Sequence, residues 1–242
     1  MGSVLLCALA VGPAQAATVV SASMNLMAHV SLNGATDAQT DSASWVGTME
    51  GLSVAVDARE LVPTELHMFA NAFGSGGANW VTADEGSIGF KGLGWQLDAA
   101  GVPVSADLNQ GDPNWRYAFV ADADDVAFSM DFQVQAIGDL FGLQGWEIRI
   151  EGGPEGLRTG AGYDVDDPTR FGTFTAGLTA GQTYTVSLVN NANVAGANGS
   201  TLQGSMHGQF DWHIDQQTVP EPGSAALAAL ALLGLRAARR RA

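Results

Sequence analysis

Residues 18–32 read Thr18-Val19-Val20-Ser21-Ala22-Ser23-Met24-Asn25-Leu26-Met27-Ala28-His29-Val30-Ser31-Leu32. From Val20 onward Val20, Ala22, Met24, Leu26, Ala28, Val30 and Leu32 alternate with Ser21, Ser23, Asn25, Met27, His29, Ser31 and Asn33. A helix would group apolar residues three and four apart. A period of two belongs to a strand with one face in a core and the other in water. The same period recurs in four later stretches: Phe128-Met130-Phe132-Val134, Trp146-Ile148-Ile150, Tyr184-Val186-Leu188 and Phe210-Trp212-Ile214. Half-buried strands of this kind are antiparallel, and the simplest closure for many of them is a two-sheet sandwich, jelly-roll-like in its connections. The expected fold is therefore all-β, with residues 17–218 as one β-sandwich domain.

Glycine-rich stretches are expected to separate the strands, as at Gly74-Ser75-Gly76-Gly77 and Gly177-Leu178-Thr179-Ala180-Gly181-Gln182. The stretch from Asn190 to Gly199 reads as a loop, because Asn and Gly tolerate left-handed backbone. Helical signals are sparse. Leu66, Phe69 and Phe73 follow Pro63 and Thr64 at helical spacing, and Ile137 to Leu143 could form one short turn.

The two ends of the chain have a different character. Val4 to Val11 is apolar and leads through Gly12-Pro13 to Ala14-Gln15-Ala16-Ala17, the small-x-small pattern of a signal peptidase site. The cut is expected between Ala16 and Ala17, making residues 1–16 a signal peptide, although no Lys or Arg precedes Val4. At the other end, Pro220-Glu221-Pro222 is held extended by its prolines. Gly223 and Ser224 follow, then a run from Ala225 to Leu235 without a charge, then Arg236 and Arg239-Arg240-Arg241 as a basic stop. A helix over about 224–238 would reach roughly 22 Å against a hydrocarbon core of about 30 Å, a marginal transmembrane span that snorkelling arginines can extend.

Residues 219–242 resemble the PEP-CTERM sorting tail of certain Gram-negative bacteria, in which a Pro-Glu-Pro signature, a short membrane helix and a basic cluster occur in that order. The resemblance implies export and transient retention in the inner membrane with the C-terminus cytoplasmic. Cleavage near Pro220, Glu221 and Pro222 by an exosortase would follow, with delivery to the cell surface or an exopolysaccharide matrix. Signal peptidase and exosortase would be the partners during export.

Charge and cysteine content bound what lies between. The sole cysteine, Cys7, falls in the signal peptide, so the mature body has no disulfide and no thiolate site. Up to Pro222 the chain has six basic residues against 25 acidic ones, net −19. Such a surface repels nucleic acid and anionic headgroups, which excludes nucleic acid as a partner.

No HExxH, GxSxG, P-loop or dinucleotide fingerprint is present, and Gly89-Phe90-Lys91-Gly92-Leu93-Gly94 has the wrong glycine spacing. His29, His67, His207 and His213 are scattered. Glu147 and Glu151 share a strand face at about 13–14 Å, too far apart for a glycosidase pair, with Arg149 between them. Two acidic clusters, Asp122-Asp124-Asp125 in an expected hairpin turn and Asp164-Asp166-Asp167 before Pro168, suit a weak Ca²⁺ site, but Asp is also a turn former in its own right. No other cofactor is implied.

Of the six tryptophans, Trp146 and Trp212 are in phase with core positions. Trp80 and Trp115 follow Asn79 and Asn114 near turn residues, so they either contact a glycan or close the end of the sandwich. The leading expectation is an exported, non-catalytic protein of the cell surface or exopolysaccharide matrix. A carbohydrate-binding module using exposed aromatics is the alternative, and an extracellular hydrolase is the second.

Overall fold

The computed structural model describes residues 16–62, 68–99, 101–108, 113–123, 126–138, 143–152, 157–161, 169–195 and 201–216. Among these there are thirteen strands and no helix, arranged as two antiparallel sheets over one core. The first sheet contains β1 (Ala17–Leu32), β2 (Ala35–Val46), β6 (Val104–Leu108), β7 (Trp115–Ala121), β9 (Leu143–Glu151), β10 (Leu157–Ala161) and β12 (Thr183–Ala195). The second runs β11 (Thr169–Leu178), β8 (Val126–Gly138), β13 (Thr201–Gln216), β5 (Glu85–Ala99), β4 (Met68–Thr82) and β3 (Leu52–Leu61). From β7 onward the chain crosses repeatedly from sheet to sheet. That is the jelly-roll-like character expected of a sandwich built from non-local pairs.

The alternation in β1 sets the core. Ala22, Met24, Leu26, Ala28, Val30 and Leu32 are all buried, in one core with Phe90, Trp95 and Met206 of the second sheet among others. The first member of the series, Val20, does not follow: it is 37% exposed. A bulge between Val19 and Ser21 in the pairing with β7 reverses the side-chain phase there. The β1–β2 connection is a two-residue turn at Asn33-Gly34, both at positive φ (50° and 86°), as a hairpin matching the strand twist requires.

β6 and β7 lie end to end in one lane between β1 and β12. Asn114, fully buried, joins them. Its N–H donates to Leu188 O (2.8 Å), its carbonyl accepts from Asn25 N–H (2.9 Å), and its Oδ1 accepts from Asn190 N–H (2.7 Å).

Several expectations are corrected. Gly74-Ser75-Gly76-Gly77 lies inside β4, because Phe90 and Leu93 of β5 occupy the space side chains would need. Residues 68–73 are strand, with Ala70 and Ala72 inward and Phe69, Asn71 and Phe73 on the other face. The large apolar residues thus mimicked helical spacing. Ile137 and Gly138 end β8, and 139–142 lie outside the described residues. Asn190 to Ala195 continue β12 rather than forming a loop. The segment after Val120 is a crossing between sheets and not a hairpin turn, since β7 and β8 belong to different sheets.

Candidate functional site

The outer face of the second sheet groups polar side chains with an exposed aromatic. The period of two places Asp131, Gln133 and Gln135 of β8 outward while Met130, Val134 and Ala136 go inward. On β13 the outward set is His207, Gln209 and Asp211, between the buried Met206, Phe210 and Trp212. Register then makes rows across the sheet. Phe171, Gln133, Gln209, Gly89 and Gly77 form one row, and Thr173, Asp131, Asp211, Ser87 and Asn79 the next. Each row crosses five strands, roughly 19 Å at about 4.8 Å per spacing. Thr173 Oγ1 donates to Asp131 Oδ1, and Gln209 Nε2 donates to Asp211 Oδ1 at 3.0 Å. Asp131 and Asp211 are directly opposed, yet each carboxylate has its own donor.

A bend shapes this face. Register shifts occur at Phe73/Ser75 and at Met206/Gly208, and Gly92 stands at φ +58° on the strand between them. Bulges of this kind curve a sheet. The Gly92 N–H donates to His207 Nδ1 at 3.3 Å. Beside this contact lies an open hollow of about 670 Å³, lined among others by Asp57, Asn71, Phe73, Lys91, Gln96 and His207. At the opposite side of the face stands Phe171, 70% exposed on the edge strand β11. The face therefore offers carboxylates, carboxamides, imidazoles, one ammonium and phenyl rings, a set that can hydrogen-bond hydroxyl groups and support an apolar ring face.

The residues singled out from sequence fall elsewhere. Trp115 is completely buried and cannot meet a ligand: it packs 5.9 Å from Tyr117, and its neighbour Asn114 is a joint inside the sheet, not a surface turn. Trp80 is half-buried and closes the end of the sandwich, 4.9 Å from Trp45 edge-on and 5.9 Å from Tyr117. Asp122 is exposed and accepts from Thr18 Oγ1 at 2.7 Å; Asp124, Asp125, Asp164, Asp166 and Asp167 lie outside the described residues. No group of metal-ligating side chains occurs among the described residues.

Glu147 and Arg149 form an ion pair at 2.6 Å, which raises the Arg149 pKa. His29 faces Asp107 at 3.4 Å and His213 faces Asp215 at 3.0 Å. His67, Pro220, Glu221, Pro222, Arg236, Arg239, Arg240, Arg241 and the expected membrane helix lie outside the described residues. No helix among the described residues is long and apolar enough to cross a membrane. Sequence reasoning missed the polar face because its members come from strands distant in the chain. The outward half of each alternation was the available signal, and it looked like ordinary solvent exposure.

Comparison with known proteins bears on the tail. Residues 218–241 match the family model described as the PEP-CTERM protein-sorting motif. The chain carries a PEP-CTERM sorting motif at its C-terminal end. The motif marks it as exported, directed to the cell surface and processed by an exosortase. The PEP-CTERM match covers the tail alone, and no curated protein matches the chain. One solved structure that the chain matches is titled "Structure of TmCBM61 in complex with beta-1,4-galactotriose at 1.4 A resolution". It is 8% identical, with 69% of this chain and 88% of that chain covered and a TM-score of 0.20.

Proposed function

We propose that the chain is a non-catalytic protein of the cell surface or extracellular matrix. On this reading it loses residues 1–16 to signal peptidase, is held in the inner membrane by residues 224–238, and is released by exosortase cleavage near Pro220-Glu221-Pro222. The observation that carries the reading is the sorting motif at 218–241. The strongly acidic, cysteine-free composition of the body supports it, since such a domain stays soluble in a hydrated, oxidising exterior. The test is the mass of the protein recovered from the outer fractions, with and without the sorting protease. A surface form still carrying Arg239-Arg240-Arg241 would refute sorting by cleavage. An unchanged location in the protease-deficient strain would reduce the tail to a plain anchor.

The exposed Phe171 beside the Gln133–Gln209 row favours a second reading, in which the body holds a neutral glycan on the outer face of its second sheet. Aromatic faces and carboxamide groups are the side chains that meet a sugar's apolar and hydroxyl faces. Retention of the purified protein on a neutral matrix polysaccharide, lost on Phe171→Ala with folding intact, is the expected result. Equal retention of both proteins would exclude this face.

A further inference from the structure

Asp84 lies in the turn between β4 and β5 and is held from several sides. Its N–H donates to Thr82 Oγ1 (3.1 Å) and its carbonyl accepts from Ile214 N–H (2.7 Å). The carbonyl of the preceding Ala83 accepts from the buried Tyr117 hydroxyl at 2.7 Å. The Asp84 carboxylate is thereby fixed against the start of β1. Its Oδ2 accepts from Ala16 N–H at 2.9 Å, while its Oδ1 is sealed from solvent and has no partner among the described residues.

The peptide joining Ala16 to Ala17 is itself enclosed. The two residues are 3% and 0% exposed, Ala17 pairs with Ala121, and Ala16 O accepts from Asp122 N–H at 2.9 Å. Two conflicts follow. A peptidase needs an extended, accessible chain, and in the closed sandwich this bond is neither loose nor open. A half-buried carboxylate with one sealed oxygen left without a donor is also incompletely satisfied by neutral N–H groups alone. Burial raises the Asp84 pKa, the Ala16 and Ala17 N–H groups oppose that rise, and the Asp122 charge adds to it.

We propose that Asp84 is the receptor for the α-ammonium of Ala17, created by cleavage after Ala16 before the sandwich closes, and that the pair locks the mature N-terminus into the fold. The inference rests on the signal-cleavage reading above. In the cleavage, water adds across the peptide bond: its hydroxyl joins the Ala16 carbonyl carbon, and its proton goes to the Ala17 nitrogen as the C–N bond breaks. The leader departs with a carboxylate, and Ala17 keeps an amine that protonates to an ammonium with three donors. That group supplies what Asp84 lacks, an opposite charge and a donor for Oδ1. It also offsets the like charge of Asp122.

The chain has a single lysine, Lys91, so amine acylation of the processed protein reports on two sites only. The exported full-length gene product is purified, its N-terminus is read by mass, and it is treated with acetic anhydride across a pH series with Lys91 as internal reference. An ordinary α-amine titrates near pH 8. The expected result is an Ala17 amine with its pKa raised by at least about one unit, labelled roughly tenfold more slowly near neutrality than in urea. Asp84→Asn should return the pKa to, or below, the ordinary value.

An Ala17 amine that titrates at or below the ordinary value in the wild type overturns the pairing while leaving the cleavage site intact. This arm needs no variant to fold. A raised pKa that persists in folded Asp84→Asn also overturns it. An N-terminus other than Ala17 overturns both the cleavage reading and the pairing.

Discussion

Tyr117 is where most of the aromatic core meets. Its ring lies 4.8 Å from Trp212, 5.4 Å from Phe119 and 5.9 Å from both Trp80 and Trp115, and its hydroxyl donates to Ala83 O. Removing the hydroxyl in Tyr117→Phe leaves a buried carbonyl without that donor and is expected to cost about 1–2 kcal/mol in urea unfolding. Burial, and then the Asp84 charge, raise the Tyr117 pKa above its ordinary value near 10. The folded state thus holds this proton more tightly than the unfolded chain. Its contribution is complete below about pH 10 and is lost as pH rises beyond it. Melting temperature should fall more steeply above pH 10 in the wild type than in Tyr117→Phe.

A second residue-scale prediction concerns Gly76. A Cβ there would sit 2.7 Å from the Phe90 ring and 3.0 Å from Met24. Gly76→Ala should cost about 1–3 kcal/mol by crowding, measured by the same unfolding curve. Single residues were legible in sequence where a large side chain sat in phase, as at Trp146 and Trp212. They were illegible where neighbours misled: Pro113 and Asn114 look like a turn before Trp115, yet Asn114 is buried because its side-chain oxygen and backbone make three hydrogen bonds to the two flanking strands, β1 and β12.

At the scale of elements, the strands read best where their inward side chains are large. β1, β9, β12 and β13 announce themselves by alternation. β4 does not, because it presents Ala70, Ala72 and Ala78 to a core already filled by the large side chains of its neighbour β5, Phe90, Leu93 and Trp95. The polar outer face of the second sheet depends on which strands become neighbours, and that order is set by packing between sheets rather than by any local pattern. Asn114 offers the test at this scale. Asn114→Ala removes the acceptor of the buried Asn190 N–H and should destabilise the protein by about 1–3 kcal/mol. Hydrogen exchange at the Asn190 amide is expected to accelerate more than exchange at Phe210 or Trp212. A uniform change across all three would argue against a local joint.

For the whole molecule the governing quantity is charge. With six basic residues against 25 acidic ones up to Pro222, self-repulsion opposes the folded state and salt screens it. The melting temperature of the processed body should rise between 10 mM and 0.5 M sodium chloride, and a flat or falling profile would contradict this account. The same charge keeps copies apart in a crowded exterior, while the tail alone carries the address.

The lane shared by β6 and β7 has an architectural consequence. Leu108 pairs with Ala28 and Trp115 with Met24, so both strands run in one direction along β1, on either side of Asn25, Leu26 and Met27. Asn114 ties the start of β7 to both flanking strands, through Asn25 of β1 and Leu188 and Asn190 of β12. Each half of the lane is therefore registered separately, β6 against Ala28–Leu32 and β7 against Ala17–Met24. One lane of the sheet is in effect two independent staples, each holding β1 to β12 at its own end.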